Sequence, residues 1–160
     1  MEREPSANDD AQRPDEVTIR PVREDDLPIL FEHQRDPEAN AMAAFPARER
    51  DAFMAHWANI LSDPACVASA VELDGAVVGN IGSFEFGGRR EVGYWIDRAF
   101  WGRGVATRAL GEFLREAETT RPLFAGVIAH NAGSMRVLEK CGFARTGEIS
   151  EDGHLIFRLD

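Results

Sequence analysis

Between Glu91 and Thr107 the chain reads Glu91-Val92-Gly93-Tyr94-Trp95-Ile96-Asp97-Arg98-Ala99-Phe100-Trp101-Gly102-Arg103-Gly104-Val105-Ala106-Thr107. The pattern is a strand, a short loop and a glycine-containing entry into a helix. The first turn of a helix leaves backbone N–H groups without internal partners. Together with the helix dipole, these groups make a ready anion site. Gly102 and Gly104 have no Cβ, so a ligand can approach the backbone closely there, and Ala106 is nearly as small. The chemistry favoured is the holding of a pyrophosphate or similar group; glycines serving only a tight turn are the plainer alternative. Two nucleotide-binding patterns fail on the residues. A P-loop needs a closing Gly-Lys-Ser/Thr, which is absent. A dinucleotide fingerprint needs Gly or Ala where Thr107 stands, and a parallel βαβ unit where antiparallel hairpins precede.

A second block follows at His130-Asn131-Ala132-Gly133-Ser134-Met135-Arg136-Val137-Leu138-Glu139-Lys140-Cys141-Gly142-Phe143. Arg103-Gly104-Val105-Ala106 matches the core of the GNAT acyl-CoA signature, Q/R-x-x-G-x-G/A, and this second block resembles that family's N-x-x-S/A…G-F motif. The chain therefore resembles the GNAT N-acetyltransferases over roughly residues 17–158. The run GYWIDRAFWGRGVATRAL looks like the branch that includes ribosomal-protein N-terminal acetyltransferases. Trp101 occupies the leading Q/R position, a departure that removes no backbone donor.

The resemblance implies an α+β GNAT fold. Its central sheet would be mixed, mostly antiparallel and of about seven strands, flanked by about four helices. Strands 4 and 5 would splay around acetyl-CoA as co-substrate. Backbone groups of Tyr94, Trp95 and Ile96 would pair with the pantetheine arm, and N–H groups of Arg103, Gly104, Val105, Ala106 and Thr107 would take the pyrophosphate. Asn131 would bond the arm, and Arg136 or Lys140 would meet the ribose phosphate. Asn131 also reads as an N-cap, and Lys140 as a solvated helix-end cation.

Acetyl transfer to an amine needs the neutral amine, so a carboxylate or a water chain must remove a proton. Glu91 is the leading candidate base and Glu85 the second, with an exposed strand-end carboxylate as the alternative for Glu91. A strand N–H near Trp95 or Ile96 would stabilise the thioester oxygen. The family often protonates the departing thiolate from a helix tyrosine; here that position is Leu138. Ser134 is the candidate acid, against a serine bonding only locally. Phe45, Phe53, Trp57 and Phe84 are candidates for an acceptor pocket or for core. The resemblance implies a primary amine acceptor, either a protein N-terminus or a small molecule. A non-catalytic acyl-CoA sensor is the competing class, and a homodimer is compatible with the resemblance.

The elements that must position these groups are legible in the pattern. Residues 1–15 carry almost no large apolar side chain and read as a disordered acidic tail; residues 16–160 read as one domain. Val17-Thr18-Ile19-Arg20 alternates as a strand. Arg23-Glu24-Asp25-Asp26 opens a helix, and a second runs from about Ala47 to Leu61. Asp36 to Pro46 reads as irregular, punctuated by Pro37 and Pro46. Strands at Val67–Leu73 and Ala76–Phe84 flank Asp74-Gly75, a hairpin signal. Another follows Gly87-Gly88 at Glu91–Ile96. A helix from Gly104 to Ala117, a strand at Leu123–Ala129, a helix from Ala132 to Cys141 and a final hairpin across Asp152-Gly153 complete the chain.

The 160 residues carry a formal net charge of −10, with 44% hydrophobic residues. That balance argues against nucleic acid and against an anionic membrane surface as partners; it suits attraction of a cationic acceptor and equally a surface kept soluble by carboxylates. No apolar run approaches the ~20 residues of a membrane span. Cys66 and Cys141 are too few for a disulfide framework and read as buried thiols. His33, His56, His130 and His154 lack metal-ligand spacing, so no metal is expected. A cytoplasmic protein is the expectation.

Overall fold

A computed structural model describes residues 16–160; the tail expected over 1–15 lies outside the described residues. Seven strands form: β1 (Val17–Pro21), β2 (Val67–Leu73), β3 (Ala76–Phe86), β4 (Arg89–Ile96), β5 (Leu123–Ile128), β6 (Ala144–Ile149) and β7 (His154–Leu159). They lie in one sheet in the order β1-β2-β3-β4-β5-β7-β6. Five α-helices accompany them: α1 (Leu27–His33), α2 (Pro37–Ala43), α3 (Arg50–Ser62), α4 (Val105–Glu116) and α5 (Ala132–Lys140).

The hairpin turns follow from backbone sterics. Asp74 and Gly75 have φ of 50° and 87°, and Gly87 and Gly88 have 58° and 78°. Positive φ at both central residues matches the turn to the twist of the strands it joins, as the expected Asp74-Gly75 signal requires. All neighbouring strands run antiparallel except β4 and β5, which are parallel and share one registered pair, Glu91 with Phe124. Beyond that pair β5 stays with β7, registered from Leu123–Leu159 to Ile128–His154. The two parallel strands therefore splay, as expected, and the edge of β4 from Val92 to Ile96 faces a gap.

Each face of the sheet carries its own core. On one, Leu110 and Phe113 of α4 and Leu138 of α5 are fully buried against Val71, Ile81 and Phe157. On the other, Leu30 and Phe31 of α1 and Phe53 and Trp57 of α3 pack over Ala70. Ala70 and Val71 are neighbours on β2 and enter opposite cores, because successive strand residues point to opposite faces. Burying one such large apolar side chain stabilises the fold by about 1.5–3 kcal/mol.

One expectation about the elements changes. The segment from Asp36 to Pro46 is not irregular: it holds α2, one of five α-helices among the described residues. Pro37 stands at the first helical position of α2, where its missing N–H costs nothing. Asp36 caps the helix by accepting from the Glu38 N–H at 3.1 Å. Asp26 stands at the helix start, as the sequence reading has it, and does more besides. It is buried and accepts two bonds from Arg20 at 2.8 Å and one from the Arg23 N–H at 2.7 Å. Cys66 and Cys141 are free thiols, half-buried rather than enclosed.

Candidate functional site: a cleft at the splay

The gap between β4 and β5 opens into a cleft of about 500 Å³. Tyr94, Trp95 and Ile96 supply its β4 wall, Gly104 to Thr107 its floor, and Asn131, Ser134, Arg136 and Lys140 the wall formed by α5. Ten of the expected site residues thus line one cavity: Tyr94, Trp95, Ile96, Gly104, Val105, Ala106, Thr107, Asn131, Ser134 and Lys140. Arg103 does not line it; its guanidinium lies over the Phe100 ring, 5.4 Å from the centroid. Glu91 does not line it either.

The floor is built as an anion cradle requires. Gly102 and Gly104 both have φ of 75°, a conformation that disfavours any other residue. A Cβ at Gly102 would meet nothing within 4 Å, so the space above it is open. No side chain caps the start of α4 and no acidic residue stands in its first turn. The Arg108 guanidinium donates to the Arg103 carbonyl at 2.9 Å and to the Gly104 carbonyl at 3.4 Å. The N–H groups of Val105, Ala106 and Thr107 therefore have no intrahelical acceptor, and Arg108 adds a cation that the sequence reading did not single out. The start of α5 differs. There the Asn131 side chain accepts from the Ser134 N–H at 3.2 Å, so Asn131 is an N-cap and a cleft residue at once.

Tyr94 and Ser134 face each other across the cleft wall, hydroxyl to hydroxyl, at 2.7 Å. Burial pushes the Tyr94 hydroxyl up to about 12, so it stays protonated at neutral pH. Leu138 is wholly buried and takes no part. The Trp101 indole donates to the Ile96 carbonyl at 2.8 Å and ties the loop to the end of β4.

Glu91 sits at the last registered contact of β4 and β5, on the sheet face shared with Gly93 and Trp95. Burial raises its carboxyl above the ordinary range, opposed by Arg89 and His154. Trp95 lies four positions further along, roughly 13 Å on a strand. Glu85 is exposed and lies 3.5 Å from Arg90.

A second cavity of about 490 Å³ opens on that same face. It gathers all four aromatic candidates, Phe45, Phe53, Trp57 and Phe84, around Gly93 and Trp95. Trp95 belongs to both cavities and forms the partition between them. Sequence reading missed α2, which supplies Ala39, Met42 and Ala43 to the first cleft. It also missed His130 as a tie, whose Nε2 meets the Ala41 carbonyl at 2.9 Å. The Asp36-Pro37 pair was the available signal. Among the described residues no group of His, Cys, Asp and Glu is placed to hold a metal, and no helix is long and apolar enough to cross a membrane.

Residues 16–144 match the family described as acetyltransferase (GNAT) domain. A Bacillus subtilis (strain 168) protein named probable N-acetyltransferase YjcK is 39% identical over 59 residues, 35% of this chain and 33% of that protein. The chain thus spans about a third of the length of the curated relatives it matches. Spermidine N-acetyltransferase from Vibrio cholerae, solved with CoA and spermine, superposes with a TM-score of 0.76 at 18% identity. That match covers 89% of this chain and 92% of the other. Aminoglycoside acetyltransferase AAC(6')-Ib, solved with coenzyme A, gives 0.74 at 21% identity, covering 90% and 94%.

Proposed function

The chain belongs to the GNAT acetyltransferase family, and from that premise we propose that it transfers the acetyl group of acetyl-CoA to a primary amine by direct attack on the thioester. The observation that carries the reading is the uncapped, glycine-lined start of α4 at the floor of a cleft between splayed strands. That cradle fits a pyrophosphate on the chemistry of its donors, three N–H groups with no intrahelical acceptor and no side-chain cap. When bound, acetyl-CoA supplies an activated acyl group as its thioester. The residues of the chain then have four tasks.

Val105, Ala106 and Thr107 hold the pyrophosphate through backbone N–H groups, and Lys140 and Arg136 add charge at the ribose end. The exposed edge of Tyr94 to Ile96 aligns the pantetheine arm and places an N–H toward the thioester oxygen. Glu91 takes the proton of the attacking amine; at roughly 13 Å from Trp95 along the strand, it does so through water rather than by contact. Ser134, backed by the protonated Tyr94 hydroxyl, returns a proton to the departing sulfur. Atoms balance: a nitrogen–carbonyl bond forms, the carbon–sulfur bond breaks, one proton leaves the amine and one reaches the thiolate.

The acceptor enters from the face that holds Glu91 and the aromatic cavity. The two solved structures are named for spermidine and aminoglycoside acetylation, and the sequence run from Gly93 to Leu110 resembles enzymes acting on protein N-termini; both acceptors fit a primary amine. Thiol release measured with acetyl-CoA against small amines and peptide N-termini tests the proposal. Release dependent on one acceptor, with a matching N-acetyl product, is the expected result. Binding of acetyl-CoA without any acceptor-dependent release would overturn it in favour of an acyl-CoA sensor.

A further inference from the structure

The second cavity carries a charge pattern that the net charge of the chain conceals. Its walls are Leu30, Phe53, Trp57, Phe84 and Trp95 with a few polar side chains, and among the described residues no carboxylate lines it. Among the described lining residues its one permanent charge is the guanidinium of Arg48, which enters from the segment between α2 and α3. That segment is fixed from below: the buried Gln34 side chain accepts from the Arg48 N–H at 2.8 Å and donates to the Arg48 carbonyl at 3.0 Å. The backbone is thus anchored independently of the guanidinium.

The guanidinium lies over the Phe45 ring, 4.9 Å from its centroid, and Phe45 stands edge-on to Trp95 at 6.2 Å. Cation and rings form a continuous stack from Arg48 to the partition shared with the acetyl-CoA cleft. At that end Asn80 lies opposite Trp95 in the β3–β4 register and lines the cavity too. Gly93 leaves the floor open: a Cβ there would meet only the Phe84 ring, at 3.8 Å.

Resting on the acetyl-transfer reading, we propose that this cavity takes an amphiphilic acceptor, a primary amine with an aromatic or branched apolar group and a carboxylate that pairs with Arg48. An amino acid with a large apolar side chain is the simplest member of the class. Its amine lies toward Asn80 and Trp95, its side chain among the rings, and its anion on the guanidinium. A polyamine or aminoglycoside would meet a cation and find no carboxylate on the walls. The overall charge of −10 does not reverse this preference. Salt screens exposed charges beyond about 8 Å, whereas a half-enclosed guanidinium beside aromatic rings is screened much less. In the step itself the amine nitrogen gains the acetyl group, the thioester carbon–sulfur bond breaks, and the amine proton leaves through water toward Glu91.

The full chain is assayed with acetyl-CoA and four acceptors: L-phenylalanine, phenethylamine, spermidine and kanamycin. Binding of N-acetyl-L-phenylalanine is followed in parallel by tryptophan fluorescence, because Trp57 and Trp95 both line the cavity. The expected kcat/KM for phenylalanine exceeds those of spermidine and kanamycin at least tenfold. Arg48→Gln lowers it about 10- to 100-fold, as loss of a hydrogen-bonded charge pair does, while phenethylamine changes less than about threefold on the same grounds. Arg48→Lys keeps the charge and recovers part of the loss. Preference for spermidine or kanamycin, or equal losses for both aromatic amines in Arg48→Gln, would overturn the inference. Saturable, Arg48-dependent quenching without turnover of any amine would uphold the cavity's ligand class and defeat acetyl transfer; absence of quenching would defeat the ligand class even where some other amine is acetylated.

Discussion

Glu91 stands where β4 and β5 last touch, and burial raises its carboxyl above the ordinary range, with Arg89 and His154 opposing. A base must be ionised to act, so activity should fall as pH drops through that raised value rather than near the usual carboxylate range. Glu91→Gln should lower kcat about 100-fold, the low end of what a positioned base contributes, and should remove the acidic limb of the pH–rate profile. Stopped-flow thiol release between pH 5 and 9 checks both; an unchanged limb would exclude Glu91 as the group responsible. Ser134 and Tyr94 pose the converse case. Their 2.7 Å contact joins the candidate acid to the chain's only tyrosine, a partnership that residue types alone did not reveal.

At the scale of elements, the position of the β4 edge depends on its other neighbour. Gly79 on β3 is registered opposite Ile96, and a Cβ there would lie 2.3 Å from the Trp95 carbonyl oxygen. Backbone cannot move aside as a flexible side chain can. Gly79→Ala should therefore cost about 1–3 kcal/mol and weaken acetyl-CoA binding along with stability. Chemical denaturation and calorimetry check the pair; loss of stability without loss of binding would show that the β4 edge is set elsewhere. Most elements were legible in the sequence because local rules decide them. Asp74-Gly75 and Gly87-Gly88 each satisfy the turn that joins their strands, and Gly102 and Gly104 mark the loop before α4. The helix at Pro37–Ala43 was not legible, because proline both opens helices and breaks them, and only the Asp36 cap resolves which. The distance of Glu91 from Trp95 and the gathering of Phe45, Phe53, Trp57 and Phe84 depend on strand register and helix packing, which no local pattern encodes.

Across the whole molecule, charge is segregated rather than averaged. The chain is strongly acidic, yet the cleft at the splay is lined by Arg136 and Lys140, and the aromatic cavity holds Arg48. The buried charges serve stability instead. Asp26 binds Arg20, which also meets Glu72 at 2.5 Å, and so ties α1 to the edge of the sheet. The hydrogen bonds from Arg20 outweigh burial and hold the Asp26 carboxyl below its ordinary value of 3.8. A depressed carboxyl contributes stability that is present above the unfolded value and lost as pH falls through the folded one. Asp26→Asn should cost about 3 kcal/mol at neutral pH, and the gap from the parent protein should close as pH falls below that of the native carboxyl. Thermal unfolding across pH checks this; a constant gap would assign the cost to packing rather than charge.

If the start of α4 holds the pyrophosphate of acetyl-CoA, calorimetric titration will separate the parent protein from Gly104→Asp. The substitution puts a carboxylate where the anion belongs. Micromolar binding by the parent protein is expected, with a loss of more than about 100-fold in the variant, as a like-charge contact at a desolvated site imposes, and with the fold retained. Equal affinity in the two proteins would contradict that placement of the pyrophosphate.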